Sequence, residues 1–305
     1  MRKKNTIIII KLLVTLIIVI FLFAEINVDE LKSNIIKMDT KYLLFALLLL
    51  PVNIFFQVYK WYVILRSVEK KRTPIYMILE TSLIGILMGF VTPGKTGEMA
   101  KFLLIKNEDK FEMAGGTFYE KILDSIWILV FALPPVLSIG NNLDNSSIIN
   151  RIIIPVICLI TFFSIVVVIF NRYKNKNNNL VRNLGKVTGF YKTAGKVRFL
   201  QLTIGSLFLF LTYSTQLALL LKAFNGSSFL INLEVSWFSI FLKSLLPISF
   251  GDVGIRESAA AYSCKIFLIP IESGVASGFL LFSINVVIPS ILGLVLFLRS
   301  KRFNN

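Results

Sequence analysis

Histidine is absent from all 305 residues of this chain. That removes imidazole as a general base and as a metal ligand, and with it most hydrolase triads and His-based zinc centres. Cysteine is scarce: Cys158 and Cys264 are the only two, both in apolar surroundings and without C-x-x-C spacing. They are expected to be small buried residues. Acidic residues are also few, 17 against 33 Lys and Arg, which leaves a net charge of +16. The longest polar stretch, residues 171–198, falls short of the roughly fifty residues that a separate soluble domain needs. No Walker A sequence, Gly-x-Ser-x-Gly elbow or dinucleotide fingerprint occurs. No metal, cofactor or catalytic domain is expected from such a chain.

What is abundant is apolar sequence. The chain is 55% hydrophobic, with 27 Phe and a mean hydropathy of +0.76, beyond the range of a soluble globular domain. The expected fold class is an all-α polytopic membrane protein. A span needs about twenty mostly apolar residues, and residues 5–23, 42–65, 119–139, 152–170, 200–221 and 274–298 meet that length. The first of these follows Arg2, Lys3 and Lys4 and is not followed by a small-x-small cleavage site, so a retained helix is expected rather than a signal peptide. The basic residues crowd the loops. Positive-inside topology and attraction to anionic headgroups explain that better than a nucleic-acid partner would.

Two shorter apolar stretches, residues 75–91 and 230–246, each run into a glycine motif and are followed by a second short apolar piece, 99–105 and 259–269. The motifs are Pro93-Gly94-Lys95-Thr96-Gly97-Glu98 and Phe250-Gly251-Asp252-Val253-Gly254-Ile255-Arg256-Glu257. Both have the form Gly-x-x-Gly followed closely by Glu. Glycine interrupts a helix, and ionisable groups inside a membrane are costly, so a charged glycine turn at membrane depth marks a functional site.

Loop charge sets the direction of these broken segments. The amino terminus and the loop with Arg66, Lys70, Lys71 and Arg72 are basic and expected inside, whereas loop 140–150 carries Asp144 and no Lys or Arg and is expected outside. The span 119–139 then leaves the cytoplasm, and the segment 75–105 enters and returns on the inner side. Residues 171–199 form an expected basic cytoplasmic loop, and Arg299, Lys301 and Arg302 put the carboxyl terminus inside too. The segment 230–269 then enters and returns on the outer side. The expected architecture is six full spans plus two re-entrant broken helices, with residues 1–140 and 148–300 as inverted repeats of one membrane domain. A competing reading makes every apolar stretch a full span, at the cost of misplacing basic loops.

In the first motif, Gly94 and Gly97 allow a turn, a short helix near Gly97 would present free N–H groups to an anion, and Lys95 and Lys101 add cationic donors. Glu98 would compensate them or accept from a lipid amine. The bland alternative is a Pro-Gly loop at the membrane surface with snorkelling lysines. In the second motif, Gly251 and Gly254 flank Asp252, and Arg256 beside Glu257 offers a guanidinium fork suited to a phosphodiester. The alternative there is a buried structural ion pair. Glu120 and Asp124 lie four apart on one helical face and would pair with Lys95, Lys101 or Arg256 to gate the hairpins, or merely complement a helix dipole. Glu80, Glu234 and Lys243 fall within the hairpin helices. Lys60, Lys222 and Lys265 are expected to snorkel, with Trp61 and Tyr62 as interface anchors.

The first motif with Lys101, then Tyr119-Glu120-Lys121-Ile122-Leu123-Asp124, then Leu246-Pro247 leading into Gly251 to Glu257, resemble the lysylphosphatidylglycerol synthase transmembrane region family. This is the flippase-like membrane domain that is also fused to the aminoacyl-lipid synthase of the multiple peptide resistance factor. Lys101 stands where the family usually carries Arg, and lysine acts on phosphate as a point charge rather than a fork. The resemblance implies a membrane lipid translocase without the lysyltransferase domain, in a bacterial or archaeal cytoplasmic membrane, with both termini cytoplasmic. Its implied ligand is an aminoacylated phosphatidylglycerol or a polyprenyl-phosphate lipid. The alternative from another class is a non-transporting subunit that scaffolds or regulates a separate lipid- or glycan-modifying enzyme.

Overall fold

The computed structural model describes residues 38–69, 72–92, 95–105, 109–142, 179–245 and 252–299. These form helices α1 (Thr40–Leu48), α2 (Leu50–Val68), α3 (Ile75–Phe90), α4 (Thr96–Met99), α5 (Lys110–Asn142), α6 (Asn179–Asn225), α7 (Phe229–Ser244), α8 (Ile255–Ile266), α9 (Ile271–Phe282) and α10 (Ile288–Arg299). A 3₁₀ turn, Ala100–Leu104, extends α4, and a π-helical turn, Ser283–Val287, joins α9 to α10. Among the described residues there is no strand. Among the described residues, four stretches are long and apolar enough to cross a membrane: Thr40–Val68, Lys110–Ile139, Gly189–Asn225 and Ile271–Arg299. They coincide with four of the expected spans; the other two, 5–23 and 152–170, lie outside the described residues.

Local chemistry sets the element ends. Pro51 sits in the first turn of α2, where its missing N–H costs nothing. Ser228 caps α7 by accepting from Ile231 N at 3.3 Å. The link from α2 to α3 is tied by Thr73, whose N–H donates to Glu69 Oε2 at 2.8 Å and whose carbonyl accepts from Arg66 at 3.0 Å. Helix α6 is the centre of the bundle, packing on α1, α2, α5, α7 and α9. Over half of its most apolar window is buried, 56% against 11% for α1–α2. Outward-facing Leu48, Ile75, Leu137, Leu230 and Leu298 present an apolar exterior, as lipid requires.

One hydrogen bond orients the two broken segments. Asp39 N donates to Ala223 O at 3.0 Å, so the carboxyl end of α6 lies at the Asp39 end of α1–α2. The hairpin α3–α4 begins just after Val68, at the far end of α2, whereas the hairpin α7–α8 begins just after Asn225, beside Asp39. The two hairpins therefore open at opposite ends of the bundle. Single cysteines at Lys110 and Ser228, in a background lacking Cys158 and Cys264, are expected to react with an impermeant maleimide from opposite sides of sealed vesicles. Labelling of both from one side would contradict this arrangement.

Three expectations change. The basic stretch 171–199, taken as loop, is helical from Asn179, with a break at Gly195 (φ 72, ψ 167). Asn and Lys content signalled polarity there, but not conformation. Trp61 is no interface anchor: it is fully buried and its indole donates to Thr81 Oγ1 at 2.9 Å. Lys60 does not snorkel either. It is 1% exposed, deep in α2, and held by carboxylates.

Candidate functional site

The two glycine motifs meet. Lys95 Nζ lies 3.5 Å from Asp252 Oδ2, joining the tip of one hairpin to the tip of the other. Asp252 is also reached by Lys243 Nζ at 2.9 Å and by Arg256 at 3.9 Å, so one carboxylate serves three cations. Both Lys95 (φ 54) and Asp252 (φ 62) adopt the left-handed backbone that L-residues seldom occupy, and such outliers concentrate where function constrains the chain.

Each tip has its own scaffold. In the first, Thr92 Oγ1 accepts from Gly97 N at 2.7 Å and donates to Met88 O at 2.8 Å, which folds the chain back on α3. A Cβ on Gly97 would stand 2.3 Å from Met88 O, so only glycine allows this closeness. Gly97→Ala is expected to destabilise the protein by roughly 1–3 kcal/mol, the usual cost of overpacking, seen as a lower melting temperature in detergent; an unchanged melting temperature would contradict the tight turn. In the second tip, Gly254 (φ 83) precedes α8, and Glu257 Oε2 accepts its N–H at 2.7 Å. Gly94 and Gly251 lie outside the described residues.

At both tips, N–H groups beside the helix start are engaged within the protein. Helix α4 is a single turn that passes into 3₁₀ geometry, too short to build a dipole, and the Gly97 N–H is already used by Thr92. At α8 the Gly254 N–H is used by Glu257 and the Arg256 N–H by Asp252 O.

Glu120 takes one of its expected partners, Lys101, and shares with Asp124 an unexpected one, Lys60. Glu120 pairs with Lys60 at 3.1 Å and Lys101 at 3.2 Å, and Asp124 accepts from Lys60 at 2.8 and 2.9 Å. Lys121 bridges Glu98 at 3.2 Å and Asp124 at 4.0 Å. Lysine is long enough to reach across helices, and α2 brings Lys60 closer than either hairpin tip. Lys101 also lies over the Trp61 ring at 5.1 Å, and Lys243 over Tyr213 at 5.7 Å. A single charged side chain at a helix centre costs about 2.5–3.5 kcal/mol on insertion scales, and these pairings offset that cost.

A cavity of about 380 Å³ opens beside the meeting point. Its charged walls divide in two. Lys95 and Lys243 with Asp252 form a positive lobe, and Lys121 with Glu98 and Asp124 line a second, where Lys60 behind Asp124 balances the carboxylates. Arg256, expected to be the phosphate fork, is 1% exposed and absent from the wall; it sits behind Asp252 and over the Phe282 ring at 5.1 Å. Lys101, Glu120, Gly97, Gly254 and Glu257 likewise support the wall without lining it. Glu80 is off the wall, and so is Glu234, which accepts from Ser138 at 3.4 Å.

Sequence reasoning missed the cavity roles of Lys243 and Lys121 and the strut role of Lys60. It also missed an amide wall: Asn53, Gln57 and Asn285 line the cavity, and Gln216 stands behind them. Each is a polar residue inside an apolar run, which marks the position but not its partners. Among the described residues, no group of three or more His, Cys, Asp or Glu is placed to hold a metal ion.

The family model described as "Lysylphosphatidylglycerol synthase TM region" matches residues 8–293. No curated protein matches the chain.

Proposed function

The chain belongs to the lysylphosphatidylglycerol synthase transmembrane-region family, and from that premise we propose that this multi-pass membrane protein translocates a phosphate-bearing lipid. The observation that carries the reading is the Lys95–Asp252 bridge, which joins hairpin tips from opposite ends of the bundle at the edge of a 380 Å³ cavity. That volume is at the small end of ligand pockets and suits a headgroup, with the tails left in lipid. Lys95 and Lys243 supply the cationic contacts to phosphate. Arg256 acts from behind, holding Asp252 in place.

Two opposed hairpins meeting at one site are the geometry of alternating access. Headgroup phosphate competes with Asp252 for Lys95 and Lys243. Binding therefore weakens the link between the tips, and release restores it. Rocking of the inverted halves then exposes the headgroup to either leaflet. The wall carboxylates Glu98 and Asp124 give a place for an ammonium on the same headgroup, in exchange with Lys121, as in an aminoacylated phosphatidylglycerol. The chain acts as a carrier, not a catalyst, and sits in a bacterial or archaeal cytoplasmic membrane with both termini cytoplasmic.

The test is translocation of fluorescently labelled phosphatidylglycerol in liposomes containing the purified protein. Leaflet exchange well above that of protein-free liposomes supports a translocase. Exchange equal to protein-free liposomes, for aminoacylated and polyprenyl-phosphate lipids as well, would leave a lipid-binding or scaffolding subunit instead.

A further inference from the structure

Part of the cavity wall is built from uncharged hydrogen-bonding groups whose partners are incomplete. Gln216, fully buried on α6, donates through Nε2 to Ala46 O at 3.0 Å, which fixes the orientation of its amide. Its Oε1 then accepts from two sides, from Asn53 Nδ2 at 3.3 Å and from Asn285 Nδ2 at 2.9 Å. Asn53 Oδ1 in turn accepts from Gln57 Nε2 at 2.6 Å. With its nitrogen committed to Gln216, Asn285 is left with Oδ1 as an acceptor, and that atom has no partner among the described residues. Ser206 Oγ is unpartnered as well. Both side chains line the cavity, and they are only 5% and 1% exposed.

Buried polar atoms without partners are costly, about 1–3 kcal/mol each, and native proteins keep few of them without a use. Asn285 also sits in the π-helical turn Ser283–Val287, an irregularity that recurs at functional sites. The same turn places Val286 on the cavity wall.

We infer that Asn285, held by Gln216, and Ser206 form a second, uncharged subsite that takes the hydroxyl-bearing part of the headgroup, a polyol such as glycerol or inositol. This rests on the reading of the cavity as a phosphate-lipid site. An acceptor without a proton and a hydroxyl that both donates and accepts are together the complement of an alcohol. Ligand hydroxyls donate to Asn285 Oδ1 and accept from Ser206 Oγ–H. An ammonium is served better by the carboxylates Glu98 and Asp124.

The experiment compares binding of phosphatidylglycerol, phosphatidylinositol and phosphatidylmethanol to the full chain by native mass spectrometry in one detergent. All three present a phosphodiester, but the methyl ester has no hydroxyl. The wild type is expected to prefer a polyol lipid over phosphatidylmethanol by roughly tenfold, the value of one or two good hydrogen bonds. Which of the two polyol lipids ranks higher separates glycerol from inositol as the source. Ser206→Ala removes a hydroxyl with no partner inside the protein, so the fold is expected to be as stable as before or more so. Its preference is expected to fall severalfold, with binding of phosphatidylmethanol unchanged. Asn285→Leu is expected to abolish the preference. Equal binding of all three lipids by the wild type, or an unchanged preference in Ser206→Ala, would overturn the polyol subsite and leave the phosphate reading intact. Binding of none of them would overturn the phosphate reading itself.

Discussion

Glu120→Gln is expected to lower the melting temperature of the purified protein by about 10 °C. Glu120 is 2% exposed and lies between Lys60 and Lys101, themselves 1% and 4% exposed. The amide keeps the shape but withdraws the negative charge, leaving two buried ammonium groups to share less compensation. Breaking a buried pair from one side costs about 3–5 kcal/mol, and each kcal/mol moves the midpoint of a chain this size by a few degrees. Lys60 retains Asp124, so Lys101 is left the more exposed to the loss. The double variant Lys101→Met with Glu120→Gln removes the pair together and is expected to recover part of the lost stability. Strictly additive losses in that cycle would show that the two do not interact.

Lys95→Gln combined with Lys243→Gln is expected to reduce translocation of an anionic phospholipid by at least about tenfold. Hydrogen bonds to charged groups contribute about 1.5–3 kcal/mol each, and these two lysines are the cations on the positive lobe of the cavity. Their loss leaves Asp252 facing the cavity with Arg256 behind it, at 3.9 Å. A headgroup phosphate would then meet a carboxylate rather than two ammonium groups. The assay is fluorescent-headgroup exchange in liposomes at equal protein density. Exchange at the wild-type rate would remove these lysines from the path. Lys222→Gln serves as the control, because Lys222 lies near the Tyr42 ring, away from the cavity wall.

Much of the architecture was legible in the sequence because the bilayer imposes a length rule. Four apolar runs became helices at the expected places, and both short runs before the glycine motifs became hairpin arms. The motifs themselves were visible as charge where charge is costly. Partner choice was not visible, because it depends on which helices lie side by side. Lys60 looked like a snorkelling residue at a helix end until α5 brought Glu120 and Asp124 against it. Arg256 looked like the better phosphate ligand because a guanidinium is the better fork, yet the fold turns it away from the cavity and leaves lysines at the wall. The amide wall escaped notice for a related reason. Asn53, Gln216 and Asn285 are far apart in sequence, and each alone is an unremarkable polar residue in an apolar run.

On the proposed function, the cavity beside the hairpin tips holds the phosphate of a membrane lipid. The most direct measurement is native mass spectrometry of the protein with phosphatidylglycerol, for the wild type beside the Lys95→Gln, Lys243→Gln variant. Lipid is expected on the wild type, with occupancy at least about tenfold lower in the variant and helical content unchanged. Equal occupancy in the two proteins would contradict that placement of the phosphate.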